Sequence, residues 1–213
     1  MSLIKNFTQA FLYMQRQQGW HEALKLAVQY LRDPFFRFQR GYILRKSLIE
    51  PIDIPPSQVT VTIRQVTPDD SELLETIVPP LRVKWLFRKM QAGEIGCIAI
   101  QEQKVIAYVF AAFAGTPSAQ ETHLDLGPRE AYLWAGFALP EFRRQGVVRA
   151  VNLNLCRILQ NKGYESAVLL VERRNQAALG HVNKMGYYQT DRIAFLKILK
   201  WAIIRIDPID KMS

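Results

Sequence analysis

The residues best suited to chemistry lie in one turn, which has the sequence Phe-Ala-Leu-Pro-Glu-Phe-Arg-Arg-Gln-Gly-Val-Val-Arg at positions 137–149. Residues 131–138 predict an apolar strand, and Pro140 ends it because proline cannot donate to a sheet ladder. An amphipathic helix is predicted directly after Gly146. A strand that turns into a helix in this way points unpaired backbone N–H groups and the positive end of the helix dipole at one spot. Such a spot suits a pyrophosphate.

The predicted helix rests on apolar residues spaced three or four positions apart, which would form one buried face. These residues are Val148, Val151, Leu155, Ile158 and Leu159. Gly163 supplies a C-terminal stop. Charge-assisted donors around the turn come from Arg143, Arg144 and Arg149. Strand, basic turn and helix are therefore contiguous along the chain.

The motif Arg143-x-x-Gly146-x-Val148 resembles the acyl-CoA-binding loop of the GNAT superfamily of N-acetyltransferases. The resemblance covers about residues 59–200. Its further motifs are Lys162-Gly163-Tyr164, a predicted strand at 166–171, Asn175-x-x-Ala178 and Lys184-Met185-Gly186-Tyr187. It implies an α/β fold of the acyl-CoA N-acyltransferase type. We expect a mixed, twisted, mostly antiparallel sheet of about six or seven strands, with helices on both faces and a splayed parallel pair at 131–138 and 166–171.

The same resemblance implies that the loop holds acetyl-CoA, or another acyl-CoA, as co-substrate. It assigns cofactor contacts to Phe137, Ala138, Leu139, Arg143, Arg144, Gln145, Gly146, Val147, Val148, Arg149, Asn175 and Ala178. Asn175 could instead cap a helix, which asparagine does well without a ligand. Val148 stands where the family has Gly or Ala, and its place in the apolar stripe predicts that it points inward, away from a phosphate.

Catalytic groups are harder to assign. Many family members carry a tyrosine seven residues after the asparagine, as the acid that reprotonates the leaving thiolate, but that position here is Val182. Tyr187 is a neighbouring candidate for this role. A thiolate can also leave without a strong acid, so the valine weakens activity rather than excluding it. The candidate general bases are Glu172, which ends one strand of the parallel pair, and Glu130, which begins the other; a water chain is equally compatible.

Two segments are candidates for binding the acceptor. Residues 81–91 predict a helix on which Trp85 and Arg88 lie off the apolar stripe and could face an anionic acceptor; a solvated basic face is the alternative. Residues 115–129 predict a long polar loop, a kind of segment that often carries function. Its titratable side chains are Glu121, His123 and Asp125, and ordinary solvated side chains are the alternative.

The first fifty residues carry much of the net charge of +9, with eight Lys or Arg against three Asp or Glu. Apolar stripes predict helices over residues 1 to about 50, and three prolines between 51 and 56 predict a linker. We therefore predict a basic helical extension at 1–56 and an acyltransferase domain at 57–213. The extension suits an anionic membrane surface. The alternatives are packing on the main domain or on a second copy, as in a homodimer; nucleic acid is not expected.

Composition narrows the class of protein. A content of 49% hydrophobic and 22% charged residues excludes a disordered chain. Apolar runs are too short for a spanning helix and no secretory signal is recognised, so we expect cytoplasmic residence, with peripheral membrane contact as a variant. Cys97 and Cys156 predict buried free thiols. The three histidines show no ligand spacing, so we expect no metal.

The favoured function at this stage is acetyl transfer from acetyl-CoA to an amine on a small molecule or a carrier, by direct attack. Two alternatives stay open. One is transfer of a long acyl chain from acyl-CoA or from an acyl carrier protein, whose acidic surface the basic chain would attract. The other is a binding or scaffold protein that keeps the fold without turnover, a hypothesis that Val182 supports.

Overall fold

The computed structural model describes residues 36–198 and 201–209. These residues form one eight-stranded sheet in the order β2-β3-β4-β5-β6-β1-β7-β8. The strands are β1 Phe36–Ser47, β2 Thr62–Gln65, β3 Ile95–Gln101, β4 Lys104–Ala112, β5 Glu130–Ala138, β6 Ser166–Glu172, β7 Tyr188–Ile198 and β8 Trp201–Pro208. The α-helices are α1 Ser71–Glu75, α2 Pro80–Gln91, α3 Pro117–Thr122, α4 Val147–Asn161 and α5 Gln176–Asn183. Only β5 and β6 pair in parallel, so the predicted mixed α/β sheet is confirmed.

The centre of the fold is the β3–β4 hairpin with helix α4 packed against it. β3 and β4 form a hairpin, and its two turn residues, Glu102 and Gln103, both have positive φ, as a tight primed turn requires. Helix α4 packs on β2 to β5 through Val147, Val151 and Leu155, which are almost fully buried. Val151, Leu155 and Leu159 of the predicted face are buried, whereas Val148 and Ile158 are only partly buried. Val147 takes the inward position predicted for Val148, and Val148 lines the cavity at the start of the helix.

The parallel strands β5 and β6 pair over only part of their length. Their register runs from Glu130 opposite Ser166 to Leu133 opposite Leu169. Beyond these pairs β5 continues to Ala138 and β6 to Glu172 without pairing to each other. A bulge causes the divergence: Ala135 has a φ of +54°, and the register against β4 shifts at this point. The sheet therefore splays, as the resemblance implied.

Strand β1 corrects the prediction of a helical extension. Residues 36–47 form a strand in the interior of the sheet, between β6 and β7, and they pair with both. Phe36 and Phe38 alternate with Arg37 and Gln39, and this period of two suits a strand rather than a helix. β1 therefore belongs to the same sheet as the residues beyond the predicted boundary at 56. The helices predicted before it lie outside the described residues.

Two further segments differ from the predictions. The polar loop at 115–129 contains the short helix α3, whose Ala119 packs with Leu126 and Tyr132 on the sheet face opposite α4. A second strand, β8, follows the predicted C-terminal strand and forms a hairpin with it. Within the described part of the chain, no helix has the length and apolar character needed to span a bilayer.

The two cysteines are as predicted. Both are buried and free. Burial raises the pKa of the Cys97 thiol to about 12 and that of Cys156 to about 11, so both thiols stay protonated and unreactive at neutral pH.

Candidate functional site

A cavity of about 810 Å³ opens where α4 begins, and we call it the loop cavity. Its walls are the end of β5, the loop before α4, the segment around Pro56 and Gln58, and the first turns of α5. Every residue that the sequence assigned to the cofactor lines it except Leu139. Leu139 does not line the cavity, and its side chain is buried, with 5% exposed. The fold therefore brings the predicted cofactor residues together at one place.

The loop backbone contains two residues in the left-handed region. One 3₁₀ turn at Pro140–Phe142 is followed by two residues with positive φ, Arg144 at +65° and Gly146 at +81°. A Cβ at Gly146 would lie 3.4 Å from the Ser57 Cα, because the chain around Ser57 crosses the loop. Gln58 N–H donates to the Gln145 carbonyl at 2.9 Å and holds this crossing in place. Glycine thus fits both the conformation and the close approach.

Helix α4 begins without a side-chain cap. Gly146 is its N-cap residue, and the Ala150 N–H makes the first helical bond, to the Gly146 carbonyl at 2.9 Å. The N–H groups of the first turn therefore have no partner within the helix. They add to the positive end of the dipole of a 15-residue helix at the edge of the loop cavity. This arrangement attracts an anion.

Basic side chains from the first turn of α4 and from the α5 region also line the loop cavity. Arg149, His181 and Lys184 all line it. Arg149 Nε and His181 Nε2 are buried, and neither has a hydrogen-bond partner within the described residues. Burial, then the charges of Arg149 and Lys184, lower the pKa of His181 below its usual value. Buried polar atoms are nearly always paired, so these orphaned groups fit the phosphates of coenzyme A.

Asn175 lines the same cavity and also caps α5. Its side-chain oxygen accepts a hydrogen bond from the Ala178 N–H at 3.0 Å. The helix-cap alternative is therefore what the structure shows for this oxygen. The amide nitrogen of Asn175 stays a candidate for cofactor contact.

A second cavity, of about 430 Å³, lies on the α3 side of the sheet, and we call it the sheet cavity. Its lining includes Tyr132 from β5 and Leu170, Val171 and Glu172 from β6. Those three β6 residues follow directly after the last parallel pair, so the cavity borders the divergence of the strands. Glu172, a predicted catalytic candidate, and Glu121 of α3 both line it. Two carboxylates thus share one cavity at the splay.

Glu121 forms an ion pair with the buried Lys89. Lys89 Nζ lies 2.8 Å from Glu121 Oε2, and the Lys89 side chain is only 4% exposed. Its ammonium also sits 4.4 Å from the ring centre of Trp85 and 5.4 Å from that of Trp134. The two tryptophans meet edge to face at 5.2 Å. Trp85 therefore packs against the ammonium of the Lys89–Glu121 ion pair and does not line the sheet cavity.

The other predicted acceptor residues do not reach this place. Arg88, His123 and Asp125 have exposed side chains, and they line neither the loop cavity nor the sheet cavity. His123 instead ends α3 in the left-handed conformation, with a φ of +52°.

Tyr187 is a correction. Its side chain is buried, and its hydroxyl lies 3.0 Å from Asn152 Oδ1 and 3.4 Å from Cys156 Sγ. Burial, before any other cause, raises the pKa of Tyr187 well above its usual value. The residue cannot reach a reactant in either cavity, so the predicted acid role is wrong. Val182, at the family's tyrosine position, is also buried.

Glu130 is also not placed for catalysis. It begins β5, at the end where β5 and β6 are paired rather than splayed. Its carboxylate accepts hydrogen bonds from Arg45 Nε at 2.9 Å and from the Gly127 N–H at 3.0 Å. These partners give it a structural role, so Glu172 is the predicted base that the fold brings to the splay.

Solved structures of acetyltransferases share this architecture. A GCN5-related N-acetyltransferase from Sphaerobacter thermophilus matches at a TM-score of 0.56 and 12% identity, covering 86% of this chain and 56% of that one. The glucosamine N-acetyltransferase region of a fungal multi-domain GH3 beta-N-acetylglucosaminidase matches at a TM-score of 0.57 and 14% identity, covering 82% of this chain and 22% of that one. The chain thus spans about half of the first protein and less of the second. AAC(6')-Iy in complex with a CoA bisubstrate analogue matches at a TM-score of 0.51 and 19% identity, covering 61% of this chain and 92% of that one. At these identities the likeness shows the fold alone.

Sequence comparison gives the family. No curated protein matches the sequence. The family model described as the acetyltransferase (GNAT) family matches residues 63–187, which is more than half of the chain and includes the whole loop and α4. Together with the splayed pair and the uncapped helix, this match places the chain in the GNAT acetyltransferase family.

Proposed function

We propose that the protein transfers an acetyl group from acetyl-CoA to an amine acceptor by direct attack. The observation that carries the proposal is the loop cavity, where the uncapped start of α4 faces two orphaned buried groups, Arg149 Nε and His181 Nε2. An anion with several phosphate oxygens satisfies all of these donors at once. Coenzyme A is such an anion, and it supplies the activated acetyl thioester when it is bound.

The chain offers each part of coenzyme A a matching surface. The N–H groups around Gly146 and the start of α4 would hold the diphosphate, with Arg143 and Arg144 beside it. Arg149, His181 and Lys184 would meet the remaining phosphate charge. The backbone of β5 from Gly136 to Ala138 does not pair with β6, so that edge is open to the pantetheine amides. The splay leads from there towards the sheet cavity.

The sheet cavity supplies the acceptor side of the reaction. An amine is a cation at neutral pH, and the carboxylate of Glu172 would favour its binding; Glu121 is already paired with Lys89, and Arg40 also lines this cavity. Glu172 would accept the ammonium proton, and the freed nitrogen would attack the thioester carbonyl. The new C–N bond then replaces the C–S bond, and the second proton of the attacking nitrogen passes through water to the departing thiolate. Most of the acceleration would come from holding two reactants in line.

A thiol-release assay with acetyl-CoA and a panel of amines tests the proposal. We expect Arg149→Ala to raise KM for acetyl-CoA by about tenfold, because a charge-assisted contact is lost. We expect Glu172→Gln to lower kcat by about 10²-fold, the usual contribution of a general base. Arg174→Ala is the matched control, since this exposed arginine lines none of the three cavities that we describe.

The same assay separates the alternatives. Turnover only with long-chain acyl-CoA or an acylated carrier protein would replace the acetyl assignment. Binding of coenzyme A without turnover of any donor would favour the non-catalytic hypothesis, which the buried positions of Val182 and Tyr187 support. Failure to bind any coenzyme A thioester would refute the proposal itself.

A further inference from the structure

A third concave surface lies over β1, β7 and β8, and four arginines line it. We call it the arginine cavity; its volume is about 400 Å³, and the arginines are Arg40, Arg173, Arg192 and Arg205. They come from four separate segments of the chain: β1, the residue after β6, β7 and β8. The tertiary fold, rather than a local run of charge, therefore assembles them.

Strand register explains why the four side chains meet. Arg40 pairs with Ala194, and Ala194 pairs with Arg205, so the two arginines lie in one row across the sheet. The Arg173 N–H donates to the Arg40 carbonyl at 2.9 Å and extends this row to β6. Arg192 lies two residues from Ala194, and alternate residues of a strand share a face. All four guanidinium groups therefore project from the same face.

The cavity has an excess of positive charge. Among the described residues that line it, Asp207 is the one acidic residue against four arginines, a difference of +3 in charge. The Asp207 carboxylate is already paired, because it accepts a hydrogen bond from Arg205 Nε at 2.9 Å. Within residues 36–198 and 201–209, the side chains of Arg173 and Arg192 make no hydrogen bond or ion pair. Two forked donors thus face one concave surface without an acceptor.

We infer that the arginine cavity binds a phosphate-bearing ligand at a site distinct from the loop cavity. A planar guanidinium matches two phosphate oxygens at once, and several arginines together suit a diphosphate, whose charge near neutral pH balances the excess. The arginine cavity and the loop cavity share no lining residue, whereas the arginine cavity adjoins the sheet cavity, with Arg40, Gly41 and Ile193 lining both. The phosphates can belong to a soluble molecule or to a lipid headgroup, which present the same chemistry.

Calorimetry with inorganic pyrophosphate tests the site on the full chain. The titration is made at about 0.15 M salt to screen non-specific attraction, and in the Arg149→Ala background to weaken the loop cavity. We expect saturable binding that the double change Arg173→Ala and Arg192→Ala weakens by about 100-fold, since each charge-assisted contact contributes about tenfold. Arg174→Ala removes the same charge one residue away and should change Kd by less than about twofold. Circular dichroism checks that the variants fold.

Vesicles distinguish the two sources of phosphate. The lipid arm compares phosphatidylcholine vesicles with vesicles that contain about 30% phosphatidylglycerol. Pyrophosphate binding without vesicle binding assigns the site to a soluble ligand. Vesicle binding that the double variant abolishes assigns it to a lipid surface. If the double variant matches the parent protein in both arms, the inference is overturned; neither arm depends on acetyl-CoA turnover, so the proposed function stands or falls separately.

Discussion

Replacing Gly146 by alanine tests whether the loop backbone recognises the cofactor. The residue precedes α4 with a φ of +81°, a conformation that an alanine side chain disfavours. The new Cβ would also lie 3.4 Å from the Ser57 Cα, where the crossing segment is held by the hydrogen bond between Gln58 and Gln145. The loop has two ways to respond: it keeps its shape under strain, or it relaxes and moves its N–H groups.

The size of the effect follows from this geometry. An alanine in the left-handed region costs about 1–2 kcal/mol. A contact at 3.4 Å is close to ordinary van der Waals distance, so it adds little if Ser57 gives by a few tenths of an ångström. If the loop relaxes in the free protein, binding must restore the strained form. The affinity for coenzyme A then falls by about fivefold to thirtyfold, which corresponds to the same 1–2 kcal/mol.

Gly163→Ala is the matched control. Gly163 follows the other end of α4 with a φ of +86°, and a Cβ there meets nothing within 4 Å. Both variants should lose about 1 kcal/mol of unfolding free energy, measured by urea denaturation. Only Gly146→Ala should weaken the Kd for coenzyme A measured by calorimetry. If Gly146→Ala keeps the unfolding free energy of the parent protein, which means that the loop has relaxed, and still binds coenzyme A as the parent does, the N–H groups around Gly146 do not hold the diphosphate and the reasoning fails.

Three further predictions concern the scaffold. Tyr187→Phe should lower stability by about 1–2 kcal/mol by removing a buried hydrogen bond while kcat stays unchanged; a large loss of kcat in a stably folded variant would restore the acid role. The pKa of Asp70 is lowered to about 2, mainly by hydrogen bonds from Arg64. The ionised Asp70 carboxylate therefore stabilises the folded state above pH 3.8, and this stabilisation is lost as the pH falls towards 2. Asp70→Asn should therefore cost about 2 kcal/mol at pH 7 and flatten the acid limb of a stability–pH curve; an unchanged limb would contradict this. Deleting residues 1–56 removes β1 and should abolish cooperative thermal unfolding, whereas a chain that starts at residue 36 should keep it.

The parts of the site that the sequence predicted are those encoded by neighbouring residues. Pro140, Gly146 and Gly163 mark the end of a strand, the start of a helix and its stop within one short segment, and each signal acts locally. The loop cavity is built largely from this segment, so its lining could be predicted almost completely. The hairpin of β3 and β4 was predictable for the same reason.

The parts that failed depend on distant contacts. Tyr187 follows a helix at a position that patterns do not mark as buried, and only the packing against Asn152 hides its hydroxyl. Lys89 shares the buried face of α2 with Val83 and Leu86, but a lysine there gives no sign of burial in the sequence. Trp134 and Glu121 from other elements, together with Trp85 of the same helix, enclose it. The strand period of β1 was present in the sequence, but aromatic residues between arginines also suit a membrane interface. No local signal distinguished the two before the partners of β1 were known.

The interior position of β1 has a consequence for biosynthesis. A ribosome makes Gly41 early, but its neighbours Glu172 and Ile193 are made more than a hundred residues later. Until they emerge, the nascent strand has two open edges that can capture another chain. Contacts this far apart in sequence also form slowly. Translation pauses, chaperone supply and premature stop codons should therefore govern the soluble yield of this protein more than the strength of its core does.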